Sequence, residues 1–312
     1  MLVIVAPGQG AQTPGFLTSW LELDGAAARL AAWSDVAGLD LVRYGTEGSE
    51  EEIKDTAVAQ PLLVAAGLLT ATELFGAVTG GPYAAVAGHS VGEITAAALA
   101  GVLSPEDALL FVRERSLAMA EAAAATPTGM TALLGGDAEV VAAKLAEHGL
   151  TAANNNGGGQ LVAAGTLEQL AALKADPPAG SRVIALKVAG AFHTEHMAPG
   201  VERLAKLAPT LTTADPAVTY LSNRDGEVVQ AGSEVLARLV SQVSNPVRWD
   251  LCMETLQQLG ATAVIELSPA GTLTNLVKRN VKGVATLALK TPADLDKARA
   301  LIEEHGGQEL DA

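Results

Sequence analysis

The amino-acid sequence predicts an α/β protein, with a mostly parallel sheet covered by helices and a smaller domain inserted into it. Two observations lead to this prediction. Short apolar strands alternate with helical stretches along most of the chain, and between residues 128 and 189 the order changes to strand-helix-strand-strand-helix-strand. The 312 residues, 49% of them hydrophobic, suffice for a large core and a small one. We expect a larger domain of residues 1–127 and 190–312 and a small domain of residues 128–189.

The first element is a short apolar strand, Leu2–Val5, which runs into the loop Gly8-Gln9-Gly10. A strand that ends in Gly-x-Gly could indicate a dinucleotide site, but Thr13 stands where that fingerprint has its third glycine. We therefore interpret this stretch as a tight loop that brings backbone groups and the Gln9 amide close to a ligand. Helical patterns follow over residues 17–41 and 55–75, the second entered near Pro61.

Residues 82–93 form a short apolar strand that turns sharply at Gly88 and leaves through an alanine-rich helix. Gly88-x-Ser90-x-Gly92 is the nucleophile-elbow pattern of α/β-hydrolase-like domains, in the strand–turn–helix context that it requires. The turn exposes the Ser90 hydroxyl at a helix N-terminus, where free N–H groups favour developing negative charge. The alternative is a plain turn with a bystander serine, because this pattern also arises by chance in a chain with 32 glycines.

The next helix begins at Ser104-Pro105 and carries Arg115 and Met119, which are four residues apart and so share one face. Arg115 stands in an otherwise apolar setting, where its guanidinium could bind a carboxylate through two parallel hydrogen bonds. The alternative is a solvated face, with Arg115 paired to Glu114 or Glu121.

The segment 128–189 has the order typical of a ferredoxin-like domain, which covers one sheet with two helices. Its predicted strands are 130–136, 150–155, 160–165 and 182–188, and its helices are 138–148 and 166–175. The larger domain then resumes with helices over 201–207, 234–243, 250–259 and 292–305, and strands over 218–221, 262–267 and 284–289.

A serine nucleophile needs a base, and His193 is the best candidate among five histidines. It directly follows a predicted strand end, so it lies in a loop at the edge of the sheet, where an imidazole could take the Ser90 proton. No aspartate stands out to orient the ring, and a backbone carbonyl could serve instead. The other histidines are expected to pack the turn (His89), to begin a helix (His196) or to end helices (His148 and His305).

Composition excludes several classes of function. The net charge of −15 disfavours nucleic acid as a partner. The single Cys252 rules out an internal disulfide and a cysteine-rich metal site, so no metal is expected. Met1–Val5 is too short for a signal peptide, and we expect no run to approach the length that spans a bilayer. We expect a cytoplasmic monomer with no membrane partner.

Taken together, the motifs resemble the malonyl-CoA:acyl carrier protein transacylases of the stand-alone, dissociated type, over essentially the whole chain. The motifs that carry the resemblance are Gly8–Gln12, Gly88–Glu93, Arg115 with Met119, Asn154–Asn156, Gly190–His193 and Asn245–Trp249. The sequence departs from the family at Arg248, where many relatives have glutamine, and at Ser268–Gly271, where Gly-Pro-Gly is more usual.

The resemblance implies transfer of a malonyl group from malonyl-CoA to the phosphopantetheine thiol of an acyl carrier protein, through a malonyl-Ser90 intermediate. It implies a coenzyme A thioester as substrate, no permanently bound cofactor, and a role in fatty acid or polyketide synthesis. The implied site consists of Ser90 and His193 as a catalytic dyad, the N–H groups of Gln9 and Val91 as an oxyanion hole, Arg115, Met119, Phe192 and Asn156 as substrate-binding residues, and a main-chain carbonyl near Arg248 that orients the histidine.

Acyl carrier proteins are generally acidic, so docking on a chain of net charge −15 needs a local positive surface. The densest basic group in the second half is Lys278-Arg279 with Lys282, and the alternative is a solvated cluster that balances nearby acids. Two other functions stay open: a serine esterase, which would need an acidic partner for His193, and a carrier-binding module that has lost catalysis.

Overall fold

The computed structural model describes residues 1–307, which form an α/β protein with two five-stranded sheets. Within this range the strands are β1 (Leu2–Ala6), β2 (Ala85–Gly88), β3 (Thr128–Gly135), β4 (Thr151–Asn155), β5 (Gln160–Thr166), β6 (Ser181–Ala185), β7 (Thr219–Tyr220), β8 (Val247–Arg248), β9 (Ala263–Glu266) and β10 (Ala285–Ala288). The α-helices are α1 (Ala26–Ala37), α2 (Leu41–Thr46), α3 (Thr56–Phe75), α4 (Gly92–Leu99), α5 (Pro105–Ala125), α6 (Ala138–Glu147), α7 (Leu167–Ala175), α8 (Ala198–Leu207), α9 (Gly232–Gln242), α10 (Trp249–Gln258), α11 (Thr272–Asn280) and α12 (Leu295–His305).

The first sheet is parallel, with the strand order β10-β9-β1-β2-β7. Strands β1, β2 and β9 are buried along their whole length, as expected for a parallel sheet with helices on both faces. Strands β1 and β2 are neighbours, and Ala6 lies opposite Gly88 at their carboxyl ends. The loops that carry Gln9 and Ser90 therefore leave the same edge of the sheet side by side. The predicted α/β class with a mostly parallel sheet is confirmed.

The second sheet is mixed, with the order β6-β3-β5-β4-β8. Its first four strands are antiparallel and come from the predicted small domain, with α6 and α7 as the two connecting helices. Strand β8 is different, because Val247–Arg248 lies outside residues 128–189 and pairs parallel to β4. The sequence predicts no strand at this position. It therefore does not indicate that the sheet of the small domain includes a strand from the larger domain.

Helix α3 is long and apolar enough to cross a membrane by length and composition alone, so the expectation that no run approaches that length is wrong. However, 83% of its most apolar window is buried inside the protein, as in the core helix of a globular fold. The helix begins at Thr56, not near Pro61, because the Asp55 side chain accepts a hydrogen bond from the Ala57 N–H and so caps its first turn.

Two further helical predictions differ from the structure. The helix predicted over residues 17–41 is divided into a short 3₁₀ turn, α1 and the start of α2, because Gly25 and Gly38 adopt positive φ angles of 79° and 60°. Helix α11 is not predicted at all. Its start depends on the buried Glu266, whose carboxylate accepts hydrogen bonds from the N–H groups of Leu273 and Thr274.

Candidate active site

Ser90 lies at the sharp turn between β2 and α4. A Cβ at residue 88 would come within 2.1 Å of the Gly92 backbone, and one at residue 92 would come within 2.2 Å of the Ala6 carbonyl, so both positions need glycine. Asn223 clamps the turn, because its Oδ1 accepts from the Ser90 N–H at 2.7 Å and its Nδ2 donates to the Gly88 carbonyl at 2.6 Å. The elbow is therefore rigid, as its sequence pattern predicts.

The structure brings Ser90 and His193 together, with 2.7 Å between Ser90 Oγ and His193 Nε2. These are the only non-glycine residues with positive φ in residues 1–307, at 54° for Ser90 and 61° for His193. Such backbone conformations cost of order 1–3 kcal/mol each and are retained where the surrounding structure and function require them. Both strained residues thus meet at one hydrogen bond.

His193 is oriented by main-chain groups of α9. Its ring Nδ1 lies 2.9 Å from the Gln242 carbonyl oxygen, and its backbone N–H donates to the Val243 carbonyl. Because Gln242 is the last residue of α9, its carbonyl has no partner within the helix, and it accepts from the Asn245 N–H at 3.1 Å as well as contacting the ring. A carbonyl only accepts, so Nδ1 carries the proton and Nε2 presents its lone pair to the Ser90 hydroxyl.

The main-chain oxygen 2.9 Å from His193 Nδ1 is that of Gln242 and not that of Arg248, although the backbone of Asn245, in the expected stretch Asn245–Trp249, also interacts with the ring. Arg248 lies in β8, where its backbone N–H donates to the Asn223 carbonyl. Its guanidinium pairs with Asp250. The residue that serves His193 comes six positions earlier, at the end of the preceding helix.

The imidazole of His193 is neutral at neutral pH. Burial lowers its pKa to about 3, and the nearby positive charge of Arg115 acts in the same direction. A neutral imidazole in contact with the serine hydroxyl can accept a proton from it.

Arg115 is fully buried beside this pair, at 1% exposure. Its Nη2 donates to Gln242 Oε1 at 2.7 Å and to Ser90 Oγ at 3.4 Å, and its Nη1 donates to Gln60 Oε1. Its Nε has no acceptor in the described part of the chain. Burial lowers the arginine pKa to about 10, which leaves the guanidinium charged at neutral pH.

The alternative that Arg115 pairs with Glu114 or Glu121 on a solvated face is wrong, since both carboxylates bind Arg203 instead. Among residues 1–307 no ion pair joins Arg115 to any carboxylate. A buried, charged guanidinium without an anionic partner can receive one from a ligand.

A cavity of about 220 Å³ opens next to Ser90. It lies between the two sheets, since both the elbow and strands of the second sheet contribute to its wall. The predicted site residues that line it are Gln9, Ser90, Val91, Met119, Asn156, Phe192 and His193. The structure therefore places seven of the predicted residues around one space, with Arg115 immediately behind Ser90.

His89 packs the turn, as predicted from its position beside Ser90. Its Nε2 lies 2.9 Å from Asn156 Oδ1, and the edge of its ring contacts Trp249 at 5.8 Å between centroids. Burial lowers its pKa. The oxygen of Asn156 is thus held by the protein, although Asn156 also lines the cavity.

Lys278 and Arg279 are exposed at the C-terminal end of α11, outside the cavity. The same helix contributes Thr272, Leu273 and Leu276 to the cavity wall. This basic pair is therefore attached to the site through one rigid helix.

One cluster in the described residues resembles a metal site in spacing, namely Glu147, His148 and Asp176. Lys144 Nζ lies 2.9 Å from the Glu147 carboxylate and 2.5 Å from that of Asp176, so an ammonium group already occupies the position between these acids. The cluster does not fit a bound cation and is far in sequence from the elbow.

Three polar residues around the centre were not predicted as site residues: Gln60, Gln242 and Asn223. A fourth, Glu93, belongs to the elbow motif but was given no role. It is 1% exposed, and burial raises its pKa to about 7 despite hydrogen bonds from the Asn223 N–H, Tyr220 and Gln242.

These features define a class of protein. The serine lies on an elbow and contacts a neutral imidazole, so it can take up an acyl group. The neighbouring guanidinium has no ion-pair partner within residues 1–307, so the acyl group that fits here is one that itself carries a carboxylate.

Comparison with known proteins agrees with this class. The family model for the acyl transferase domain matches residues 3–300. The malonyl CoA-acyl carrier protein transacylase of Mycobacterium tuberculosis is 53% identical over 298 residues, which cover 95% of this chain and 99% of that protein. The chain belongs to the acyl transferase family.

Solved structures show the same similarity. The crystal structure of MCAT from Mycobacterium tuberculosis superposes with a TM-score of 0.91 at 52% identity, and the match covers 95% of this chain and 99% of that one. The malonyl-transacylase PlMCAT, solved in complex with the type II PKS acyl-carrier protein AntF, superposes with a TM-score of 0.86 at 30% identity, covering 95% and 98% of the two chains.

Proposed function

We propose that the chain transfers a malonyl group from malonyl-CoA to the phosphopantetheine thiol of an acyl carrier protein, and so supplies extender units for fatty acid synthesis. The single observation that carries this proposal is the Arg115 guanidinium, buried and without a carboxylate partner, 3.4 Å from Ser90 Oγ. An esterase that acts on neutral acyl groups has no use for this charge. The family and the relatives named above agree with the proposal.

In the first half-reaction, Ser90 Oγ attacks the thioester carbonyl carbon of malonyl-CoA while its proton passes to His193 Nε2. The carbon–sulfur bond breaks, and the leaving coenzyme A sulfur takes that proton back from the imidazolium. In the second half-reaction, the carrier thiol loses its proton to His193 and attacks the ester carbonyl, and Ser90 regains its hydroxyl. The neutral state of His193 and its 2.7 Å contact with Ser90 support both steps.

The negative charge on the carbonyl oxygen needs N–H donors during each attack. We assign these donors to the backbone of Val91, next to Ser90 at the start of α4, and of Gln9, in the loop after β1. The adjacent carboxyl ends of β1 and β2 support this assignment, as does the presence of both residues in the cavity wall. The Gln9 side chain is turned away, since its Nε2 donates to the Lys54 carbonyl.

We assign the malonyl carboxylate to Arg115, which can form two parallel hydrogen bonds with it. Phe192 and Met119 would then border the α-carbon of the bound acyl group, because both line the cavity and both are buried. Asn156 would contact the substrate from the opposite wall, through the part of its amide that His89 does not hold.

We assign carrier-protein docking to Lys278 and Arg279. Their exposure at the end of a helix that also forms the cavity wall supports this assignment, because a carrier bound there would reach the serine with its flexible arm. The similar malonyl-transacylase PlMCAT is solved in complex with a carrier protein.

For the fold, we infer that residues 1–127 and 190–307 form an α/β-hydrolase-like domain and residues 128–189 a ferredoxin-like one; the last five residues of the predicted larger domain, 308–312, lie outside the described residues. The order β6-β3-β5-β4 supports the second description, since it places the four strands in the sequence 4-1-3-2. The cytoplasmic location and the monomeric state stay predictions.

The deciding experiment is intact-mass measurement after mixing with malonyl-CoA, followed by addition of a holo acyl carrier protein. The proposed function predicts a malonyl adduct on Ser90 that persists until the carrier is added and then moves to it. Continuous hydrolysis without accumulation would indicate an esterase. No adduct at all, with carrier binding retained, would indicate a module without catalysis.

A further inference from the structure

Gln242 contacts the centre of the site through both its backbone and its side chain. Its carbonyl oxygen holds His193 Nδ1 at 2.9 Å, and its side-chain Oε1 accepts from Arg115 Nη2 at 2.7 Å. Its Nε2 donates to the Ser90 carbonyl at 3.1 Å and to the Glu93 carboxylate. One residue therefore contacts the serine, the histidine and the arginine.

The orientation of the Gln242 amide is fixed by its surroundings. The two hydrogens on Nε2 face the Ser90 carbonyl and the Glu93 carboxylate, with Asn223 Oδ1 farther away at 3.4 Å. The Ser90 carbonyl cannot donate, and the Glu93 oxygen accepts in the ionised form of the carboxyl. A flipped amide would direct an oxygen at both acceptors and an NH₂ group at the Arg115 guanidinium. Ionised Glu93 therefore acts together with the Ser90 carbonyl to keep Oε1 facing Arg115.

The same arrangement keeps Arg115 available for a ligand. Glu93 and Arg115 are buried opposite charges, and their attraction raises the arginine pKa against the effect of burial. Yet the Gln242 amide lies between them, and the ion pairs of residues 1–307 include none between these two. The carboxylate compensates the buried positive charge without taking the N–H groups that a ligand carboxylate would use.

We propose that Gln242 is a positioning residue that holds the Arg115 guanidinium for the acyl carboxylate, and that Glu93 acts through it by fixing the orientation of its amide. This inference rests on the proposed function, because it concerns the selection of malonyl over acyl groups without a carboxylate. It assigns a role in that selection to an elbow glutamate which the transfer chemistry itself does not use.

The test compares Gln242→Ala, Glu93→Gln and the double variant. For each, the rates of Ser90 adduct formation from malonyl-CoA and from acetyl-CoA are measured by intact mass, and a neutral fluorophosphonate reports the reactivity of the serine–histidine pair. The exposed Gln258→Ala on α10 is the matched control for loss of a glutamine side chain. Thermal unfolding is recorded for all variants.

In Gln242→Ala the backbone carbonyl that holds His193 remains, so we expect the malonyl rate to fall at least tenfold more than the acetyl and fluorophosphonate rates. The near-isosteric Glu93→Gln should lower the malonyl-to-acetyl ratio in the same direction, because an amide at residue 93 lets the Gln242 amide flip. The double variant should match Gln242→Ala alone, since Glu93 acts through that side chain.

An unchanged malonyl-to-acetyl ratio in both single variants would refute the inference, as would equal losses with all three reagents, which indicate a structural role only. Multiplied losses in the double variant would show that Glu93 acts by another route. If Glu93→Gln is the only variant that folds, its malonyl-to-acetyl rate ratio decides the test. Absence of any malonyl adduct in the parent protein would instead refute the proposed function, so the two failures are distinguishable.

Discussion

The two sides of the Ser90 hydroxyl are built on different physical principles. On one side lies His193, neutral, with its backbone in a strained conformation and its ring held by a main-chain carbonyl. On the other lies Arg115, charged, on a regular helix, and held by the side-chain amides of Gln60 and Gln242. The first side can activate the serine toward any acyl donor, whereas the second can distinguish one donor from another. Reactivity and selectivity should therefore respond to different mutations.

The largest effect is expected for Ser90→Ala, which removes the nucleophile common to both sides. Adduct formation from malonyl-CoA and acetyl-CoA should fall together by roughly 10⁴-fold or more, as for other serine nucleophiles. Intact mass and fluorophosphonate labelling measure this loss, and the unfolding midpoint should change little because the hydroxyl adds little stability. A malonyl adduct on another residue of the variant would contradict the assignment.

Arg115→Ala should separate the two sides. Each hydrogen bond to a charged group contributes about 1.5–3 kcal/mol, so loss of a two-bonded carboxylate should lower the malonyl rate roughly 100-fold or more. The acetyl rate should fall much less, so that the preference for malonyl narrows or inverts. Arg115→Lys should not restore it, because lysine cannot form the paired bonds.

Arg113→Ala, on the same helix and half-buried, is the control for loss of an arginine side chain. Equal losses with malonyl and acetyl donors in Arg115→Ala would show that Arg115 is structural. Selectivity would then not depend on the arginine side of Ser90.

The pH dependence should also distinguish the two sides. A histidine with the ordinary pKa of about 6.5 is only about one-tenth neutral at pH 5.5, whereas the buried His193, with a pKa of about 3, stays neutral. Labelling of Ser90 by a neutral fluorophosphonate should therefore be nearly constant from pH 7.5 to 5.5. A tenfold decline over this range would show that the imidazole is solvated.

The sign for stability follows from the same shift. Because the folded pKa of His193 lies below its unfolded value, the unfolded chain binds the proton more readily as the pH falls below about 6.5. The contribution of this group to the free energy of unfolding is therefore complete above pH 6.5 and is lost as the pH falls toward 3. Glu93, with its pKa raised to about 7, contributes in the opposite sense: its part is complete below about pH 4.5 and is lost as the pH rises through 7.

Phe192→Ser should alter selectivity within the group of donors that carry a carboxylate. The ring lines the cavity at 6% exposure, and we expect it to occupy space that an α-methyl branch would need. The ratio of methylmalonyl to malonyl transfer should rise, within the limit of about 1–3 kcal/mol for one methyl group. Competition between the two donors measures the ratio. If it is unchanged in a folded variant, Phe192 supports the loop and does not select the substrate.

The smallest effect is expected for Lys278→Glu combined with Arg279→Glu. These two residues belong neither to the histidine side nor to the arginine side of the Ser90 hydroxyl. Transfer to an acyl carrier protein should weaken several-fold at low salt and less at physiological salt, because charges beyond about 8–10 Å are screened. Formation of the Ser90 adduct from malonyl-CoA should change much less.

Lys297→Glu with Arg299→Glu, two exposed cations on α12, carries the same change in net charge and is the control. Equal loss in both half-reactions would place Lys278 and Arg279 at the coenzyme A site, and no loss in either would remove them from function.

The elbow and the position of His193 could be predicted because local chemistry determines them. Only glycine fits at residues 88 and 92. His193 lies in a loop, as predicted, although the strand before it, β6, ends eight residues earlier at Ala185. The partners of Arg115 could not be predicted, since Gln60 and Gln242 are glutamines on helices 55 and 127 residues away in sequence. No local pattern distinguishes them from exposed ones.

The error at Arg248 has a related cause. The resemblance indicates a carbonyl in the stretch Asn245–Trp249, whereas the carbonyl in contact with His193 Nδ1 belongs to the last residue of α9, and of that stretch the backbone of Asn245 also interacts with the ring. Where a helix ends is among the least certain features of a sequence. Helix α11 is also not predicted, since its first turn depends on the carboxylate of Glu266, which lies seven and eight residues before Leu273 and Thr274 and carries no local helix signal.

Strand β8 has a consequence for the design of chimeric enzymes. Because Val247–Arg248 completes the sheet of the small domain and leads directly into Trp249, against which His89 packs, residues 128–189 are joined to the remainder by backbone hydrogen bonds as well as by two chain crossings. A transplant of residues 128–189 alone would place a foreign strand against β4. We expect exchanges between relatives to keep their activity only when the segment around residues 245–249 is exchanged as well.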